Sequence, residues 1–91
     1  MLDLDHFSGA VGEAFEMEVN GASLPVELLE VSPLPDSGRA GGSFRLEFRG
    51  PVDPAYSQGT FVFRRGEEAH EIFVTAIARD QAGTRYEAVF Y

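Results

Sequence analysis

The run Phe44-Arg45-Leu46-Glu47-Phe48-Arg49 alternates apolar and charged residues without a break, and that period of two is what most narrows the fold. Successive side chains of an extended chain point to opposite faces, so Phe44, Leu46 and Phe48 face a core while Arg45, Glu47 and Arg49 face water. The same period recurs. Ala14–Val19 sets Phe15, Met17 and Val19 against Glu16 and Glu18, Thr60–Arg65 puts Phe61 and Phe63 on one face, and Arg85–Tyr91 groups Tyr86, Ala88 and Phe90. Leu24–Val31 is the return strand of a hairpin, because Asn20-Gly21 separates it from Ala14–Val19 and both turn positions tolerate positive φ. Glu71–Arg79 is apolar on both faces, with Ile72, Val74, Ala76 and Ala78 on one and Phe73 and Ile77 on the other.

One strand breaks the rule. In Leu24–Val31, Val26 and Leu28 share one parity while Leu29 and Val31 share the other. Glu27 and Glu30 can both reach solvent only if an extra residue is inserted at Leu28-Leu29, which predicts a β-bulge and a sheet that curves toward closure. Six short strands with turn signals between them and no helix-length period predict an all-β fold. The expected architecture is a small antiparallel six-stranded meander curled into a barrel or flattened sandwich. A short N-terminal helical turn precedes it, with Asp3 or Asp5 as N-cap and Phe7 and Val11 plugging one end of the core. Ser32–Gly42 is turn chemistry throughout and reads as a long connection. No internal repeat is visible.

With 91 residues, the chain over 1–91 has room for one core, built mainly from eight phenylalanines and three tyrosines. Cysteine is absent, which removes disulfide scaffolds, thiolate metal sites and thiol catalysis. No segment approaches the roughly 18–20 apolar residues of a membrane-spanning helix. The start MLDLDHFSG is acidic and lacks a basic n-region, so a secretory signal is not expected and the cytoplasm is.

Charge is segregated along the chain. Eight acids (Asp3, Asp5, Glu13, Glu16, Glu18, Glu27, Glu30, Asp36) precede the first arginine, Arg39, whereas later acids and arginines balance. The formal charge of −8 thus lies wholly in the N-terminal segment. Nucleic-acid binding needs a basic face, and this pattern excludes it. Glu16, Glu18, Glu27 and Glu30 are expected to form an acidic face on the first hairpin, solvated or docking a basic partner. The alternative is a small-ligand or cation site, since four close carboxylates suit a hard cation, although calcium sites normally add loop carbonyls that are missing here.

A catalytic constellation does not emerge. His6 stands near Asp3, Asp5 and Ser8 on one short turn, and His70 lies in a charged turn between Glu68 and Glu71; both read as surface histidines. The expectation is a protein that is not an enzyme and needs no cofactor or metal. Parity points elsewhere: Phe73, Ile77, Val89 and Tyr91 face away from the core on the last two strands, an apolar patch of the kind that contacts a partner or another subunit. The other reading of the patch is that the N-terminal turn or the long loop covers it.

Between the strands ending at Arg49 and starting at Thr60 lies a segment rich in turn residues. Pro51 and Pro54 pre-set φ, Asp53 can form an Asx turn, Gln58 can tie loop backbone together, and Gly50 and Gly59 allow the exit and entry conformations. It reads as an ordered corner joining two core strands on opposite sides of a barrel, with Tyr56 capping the end.

The order of these motifs resembles a small bacterial family of single-domain proteins of unassigned function. The residues that carry the likeness are Asp5-His6-Phe7 with Gly12-Glu13-Ala14-Phe15, the run from Phe44 to Phe61 through Arg49-Gly50-Pro51, Asp53-Pro54 and Gln58-Gly59-Thr60-Phe61, then Glu71–Val74 and Tyr86–Phe90. The resemblance assigns no catalytic residues. It implies a setting near phage-tail-like collar or tail-fibre proteins, and hence a structural or interaction module serving such an assembly or a cell surface.

Overall fold

The structure is a computed structural model, and it describes residues 7–34 and 43–90. Asp3, Asp5, His6, most of the long connection and Tyr91 lie outside the described residues. Six strands form the fold: β1 (Ala14–Val19), β2 (Ala22–Pro33), β3 (Phe44–Gly50), β4 (Gln58–Arg65), β5 (Glu68–Asp80) and β6 (Gly83–Phe90). All neighbours are antiparallel, and the sheet closes on itself as a barrel in the order β1-β2-β3-β6-β5-β4. The expected all-β barrel is therefore what forms. Its meander comes in two runs, β1-β2-β3 and β4-β5-β6, and the segment 51–57 joins them. Since β3 and β4 stand three places apart in a ring of six, that segment carries the chain from one wall of the barrel to the opposite wall.

Alternation does the sorting. Phe15, Met17, Val19, Leu24, Val26, Leu28, Phe44, Leu46, Phe48, Phe63, Ile72, Val74, Tyr86 and Ala88 are all buried, and each occupies the inward parity of its strand. Phe48 lies at the centre, its ring 4.7 Å from Phe63 and 5.5 Å edge-on from Phe15. At one end Phe44 and Phe90 stack at 4.7 Å, and Phe7 from the short helical turn sits 6.0 Å from Phe44. The plug pairs Phe7 with Ala10; Val11 is exposed instead of buried, because the helical residues end at Ser8 and a turn follows through Gly12.

Two strands carry bulges. The register between β2 and β3 shifts between Leu28 and Glu30, so Leu29 is the inserted residue and Glu27 and Glu30 both stay outside, as the sequence pattern demanded. The second shift, between Ala76 and Ala78 on β5, had no visible sign in a stretch apolar on both faces. It moves Ala78 from the inner parity expected for it to a place beside Arg85 on the outer wall. Strand ends also run past the expected limits: β5 starts at Glu68, which puts His70 in the ladder opposite Phe63 and not in a turn. The Asn20-Gly21 hairpin is as expected, with φ of 50° and 83°.

Candidate functional site

Closing the barrel brings together charges that the sequence keeps apart. Glu18 on β1 meets Arg64 on β4 at 2.8 Å, Glu27 on β2 meets Arg49 on β3 at 2.9 Å, and Glu13 meets Arg65 at 3.5 Å. Arg45 is a hub: its guanidinium is 2.7 Å from Glu87, 3.0 Å from Glu47 and 3.8 Å from Glu30. Arg85 joins the same network through Glu47 at 3.4 Å, and Arg79 reaches Asp53 at 3.9 Å. Each described arginine thus stands beside a carboxylate. Exposed pairs of this kind contribute little singly, on the order of 0–1 kcal/mol each. The Arg45 cluster is half-buried across β2, β3 and β6, and its hydrogen bond to Glu47 raises the Arg45 pKa above its ordinary value.

The acidic face is accordingly not what the sequence suggested. Register places Glu16 opposite Pro25, Glu18 opposite Ser23 and Glu27 opposite Ala14, while Glu30 lies beyond the hairpin, opposite Glu47 on β3. The four carboxylates do not converge, and three of them are matched to Arg64, Arg49 and Arg45. Among the described residues no group of three or more His, Asp or Glu side chains gathers as metal ligands would. One consequence is titratable. The Arg64 guanidinium, hydrogen-bonded to Glu18, holds that carboxyl below its ordinary value of 4.5. A depressed native pKa contributes stability that is complete above the ordinary value and disappears as pH falls through the lowered one. NMR titration should show the Glu18 midpoint below that of a free glutamate, moving upward in Arg64→Gln; identical midpoints in the two proteins would refute the pairing.

The outer wall of β4 and β5 is different in kind. Phe73 is 55 % exposed, Ile77 46 % and Val89 38 %. Thr60 faces Phe73 across the ladder and Gln58 faces Thr75, so the outward residues from Gln58 to Val62 and from Phe73 to Ile77 carry no charge. Glu71, opposite Val62, and the Arg45 network next to Val89 supply a polar rim. The bulge presents Ile77, where the inserted residue has no counterpart on β6. Tyr91, the fourth residue expected on this patch, lies outside the described residues.

Two surface clefts of about 390 Å³ each flank β1, one reaching Phe15, Arg64 and Arg65, the other Glu18, Ser23 and Val62. In the first, the Arg65 guanidinium lies over the Phe15 ring at 5.5 Å, which blocks the aromatic face. His70 lines neither cleft; it stands on the wall 3.3 Å from Glu68.

The corner from Pro51 to Ser57 is held by groups other than those expected. Gln58 and Gly59 belong to β4, and Asp53, with its side chain 88 % exposed, has among the described residues only the long contact to Arg79. Pro51 is half-buried and Pro54 exposed. The ties are the Tyr56 amide donating to the buried Tyr86 hydroxyl (3.2 Å), the Ala76 amide donating to the Ser57 carbonyl (2.7 Å), and Arg79 Nε donating to the Val52 carbonyl (2.8 Å). A turn can be held by its own side chains or by the barrel beneath it, and here the barrel holds it. Asp53→Ala and Gln58→Ala should therefore stay within about 0.5 kcal/mol of the parent, against the expectation that they tie the loop. Tyr86→Phe should cost about 1 kcal/mol, since it strands the Tyr56 amide. Urea denaturation of the three variants checks this, and a larger loss in Asp53→Ala than in Tyr86→Phe would reverse the assignment.

No described helix is long and apolar enough to cross a membrane. Comparison with curated proteins and with solved structures returned no match. A family model does match, over residues 2–90, and by it the chain belongs to the family described as a domain of unknown function, DUF6916.

Proposed function

We propose that this domain is a non-enzymatic interaction module whose contact surface is the outer wall of β4, β5 and β6 around Phe73, Ile77 and Val89. The observation that carries the reading is the combination of three exposed large apolar side chains with uncharged outward neighbours on β4 and β5 and a charged rim of Glu71, Glu87 and Arg45. Protein contacts have this anatomy, an apolar centre ringed by polar residues. A wall of a small soluble barrel serving water alone would alternate apolar-in with polar-out, as β1 does with Glu16 and Glu18.

The pairing of acids with arginines directs the reading to the same wall. With Glu18, Glu27 and Glu30 each matched internally, the first hairpin offers no concentrated negative face, so binding through an acidic hairpin is the weaker reading. The narrower form of the proposal, an accessory of a phage-tail-like or surface assembly, rests on the sequence resemblance alone.

The experiment compares the parent with Phe73→Ser/Ile77→Ser by light scattering at high concentration and by pull-down with the proteins encoded beside it. Both substitutions lie on the exposed wall, so the melting temperature should be retained. Association by the parent that the double variant loses supports the reading. A parent that stays monomeric and captures nothing, or a variant that associates equally well, sinks it.

A further inference from the structure

We propose that the barrel is built from two structurally equivalent three-stranded units, β1-β2-β3 and β4-β5-β6, that recognise each other across an approximate two-fold axis, and that each unit can accept its counterpart from a second copy of this chain. The ring order is the first ground. Exchanging β1 with β4, β2 with β5 and β3 with β6 reproduces every neighbour in the sequence β1-β2-β3-β6-β5-β4.

The bulges supply the register. Both interrupt the long middle strand of a unit, and both lie on the side paired with that unit's third strand: Leu29 between β2 and β3, Ile77 between β5 and β6. Superposing Leu29 on Ile77 sets Leu28 on Ala76, Val26 on Val74 and Leu24 on Ile72, inward residues on inward residues. The hairpin partners follow without adjustment, Met17 (opposite Leu24) falling on Phe61 (opposite Ile72). So do the third strands, since Phe48 faces Leu28 and Tyr86 faces Ala76.

An independent check comes from the two seams where the units meet, which played no part in that superposition. Residues made equivalent by a two-fold axis must face each other where the axis crosses the sheet. Phe48 and Tyr86 are direct partners across β3 and β6. Glu18 and Val62, equivalent through their hairpin partners Ser23 and Glu71, are direct partners across β1 and β4. The units differ at their tips, where the β4–β5 hairpin continues two pairs beyond the equivalent of Val19 opposite Ala22. They differ inside as well: Phe15 corresponds to Gly59, and the Phe61 ring occupies the space a Cβ on Gly59 would need. Only the pattern is shared, so the two-fold relation leaves no repeat in the sequence.

The surfaces that join the units do not depend on the segment 51–57 that links them. In one chain the link keeps the partner unit at millimolar effective concentration, so the monomer wins in dilute solution. Damaging one unit in cis removes that advantage. The test therefore uses two full-length chains, Leu28→Asp with its first unit disabled and Val74→Asp with its second unit disabled, each placing a carboxylate at a fully buried position. Each alone should lack native circular dichroism. Refolded together at high concentration they should recover about half the parent's signal, in a species of twice the 10.0 kDa chain mass.

A second variant covers the case in which either single chain still folds. Deleting Val52–Tyr56 leaves two residues between β3 and β4, a reach of about 10 Å. The opposite walls of a six-stranded barrel stand roughly 12 Å apart, from strands about 4.8 Å apart and tilted about 40°. A folded dimer is expected. A mixture of the two damaged chains that stays as unfolded as its components overturns the proposal, and so does a deletion variant that folds as a monomer. The contact surface is tested separately, on the parent and the Phe73→Ser/Ile77→Ser variant, so failure of the exchange leaves it standing.

Discussion

Phe48→Ala is expected to take the domain to the edge of unfolding. Phe48 is fully buried, it pairs with Leu28 on one side and Tyr86 on the other, and its ring meets Phe63 at 4.7 Å and Phe15 at 5.5 Å. Truncating such a ring removes its transfer free energy and leaves a cavity that β-barrel walls, tied by ladders on both edges, close poorly. The expected loss is about 3–5 kcal/mol. Domains of this size hold only about 5–15 kcal/mol in total, and the smaller ones sit low in that range. Urea denaturation followed by circular dichroism should show the midpoint falling by most of its value, with Phe48→Leu much milder at about 1 kcal/mol. A loss below 1 kcal/mol for the alanine variant would mean that the aromatic cluster is not the centre of the core.

Gly83→Ala should be nearly as costly, for a reason that has nothing to do with burial of apolar surface. Gly83 opens β6 at φ +138°, and a Cβ there would lie 2.1 Å from the Gly50 carbonyl oxygen and 3.0 Å from Arg49 Cγ. The first contact is with backbone, which cannot rotate away, so β3 and β6 must separate at the end of their ladder where Gly50 pairs with Thr84. With the strained φ added, the expected cost is about 3 kcal/mol or more. Gly9→Ala is the control, since a Cβ there meets nothing within 4 Å and should change stability by less than about 0.5 kcal/mol. Thermal melts of the pair decide the matter: equal melting temperatures would show that the close approach of β6 to Gly50 does not exist in solution.

These two residues differ in how they could be found. Phe48 stands in a strict alternation, and its burial follows from parity alone. Gly83 ends an Asp-Gln-Ala-Gly turn, and nothing local says that the carbonyl of a residue 33 positions earlier will lie against it. The same division runs through the surface. Outward Phe73 and Val89 were legible from the period of two, whereas the fate of Glu18, Glu27 and Glu30 was not, because their arginine partners come from strands whose adjacency the pattern leaves open. An acidic segment followed by a balanced one looks like a charged face in one dimension. Folded, it is a set of cross-strand pairs.

The sequence by itself determined six extended strands, the inward residue of almost every pair of positions, the Asn20-Gly21 turn and the bulge at Leu29. All of these are local: side-chain period, turn sterics and the demand that two glutamates reach water act within a few residues. Tertiary structure alone decided the seams where β3 meets β6 and β1 meets β4, the second bulge at Ile77 and the two-fold relation between halves. An alternating strand can pair with any other alternating strand, so its partner is chosen by how all six close into one barrel. In Glu71–Arg79, apolar on both faces, even the bulge is invisible until β6 lies alongside and Tyr86 and Arg85 mark where the register slips.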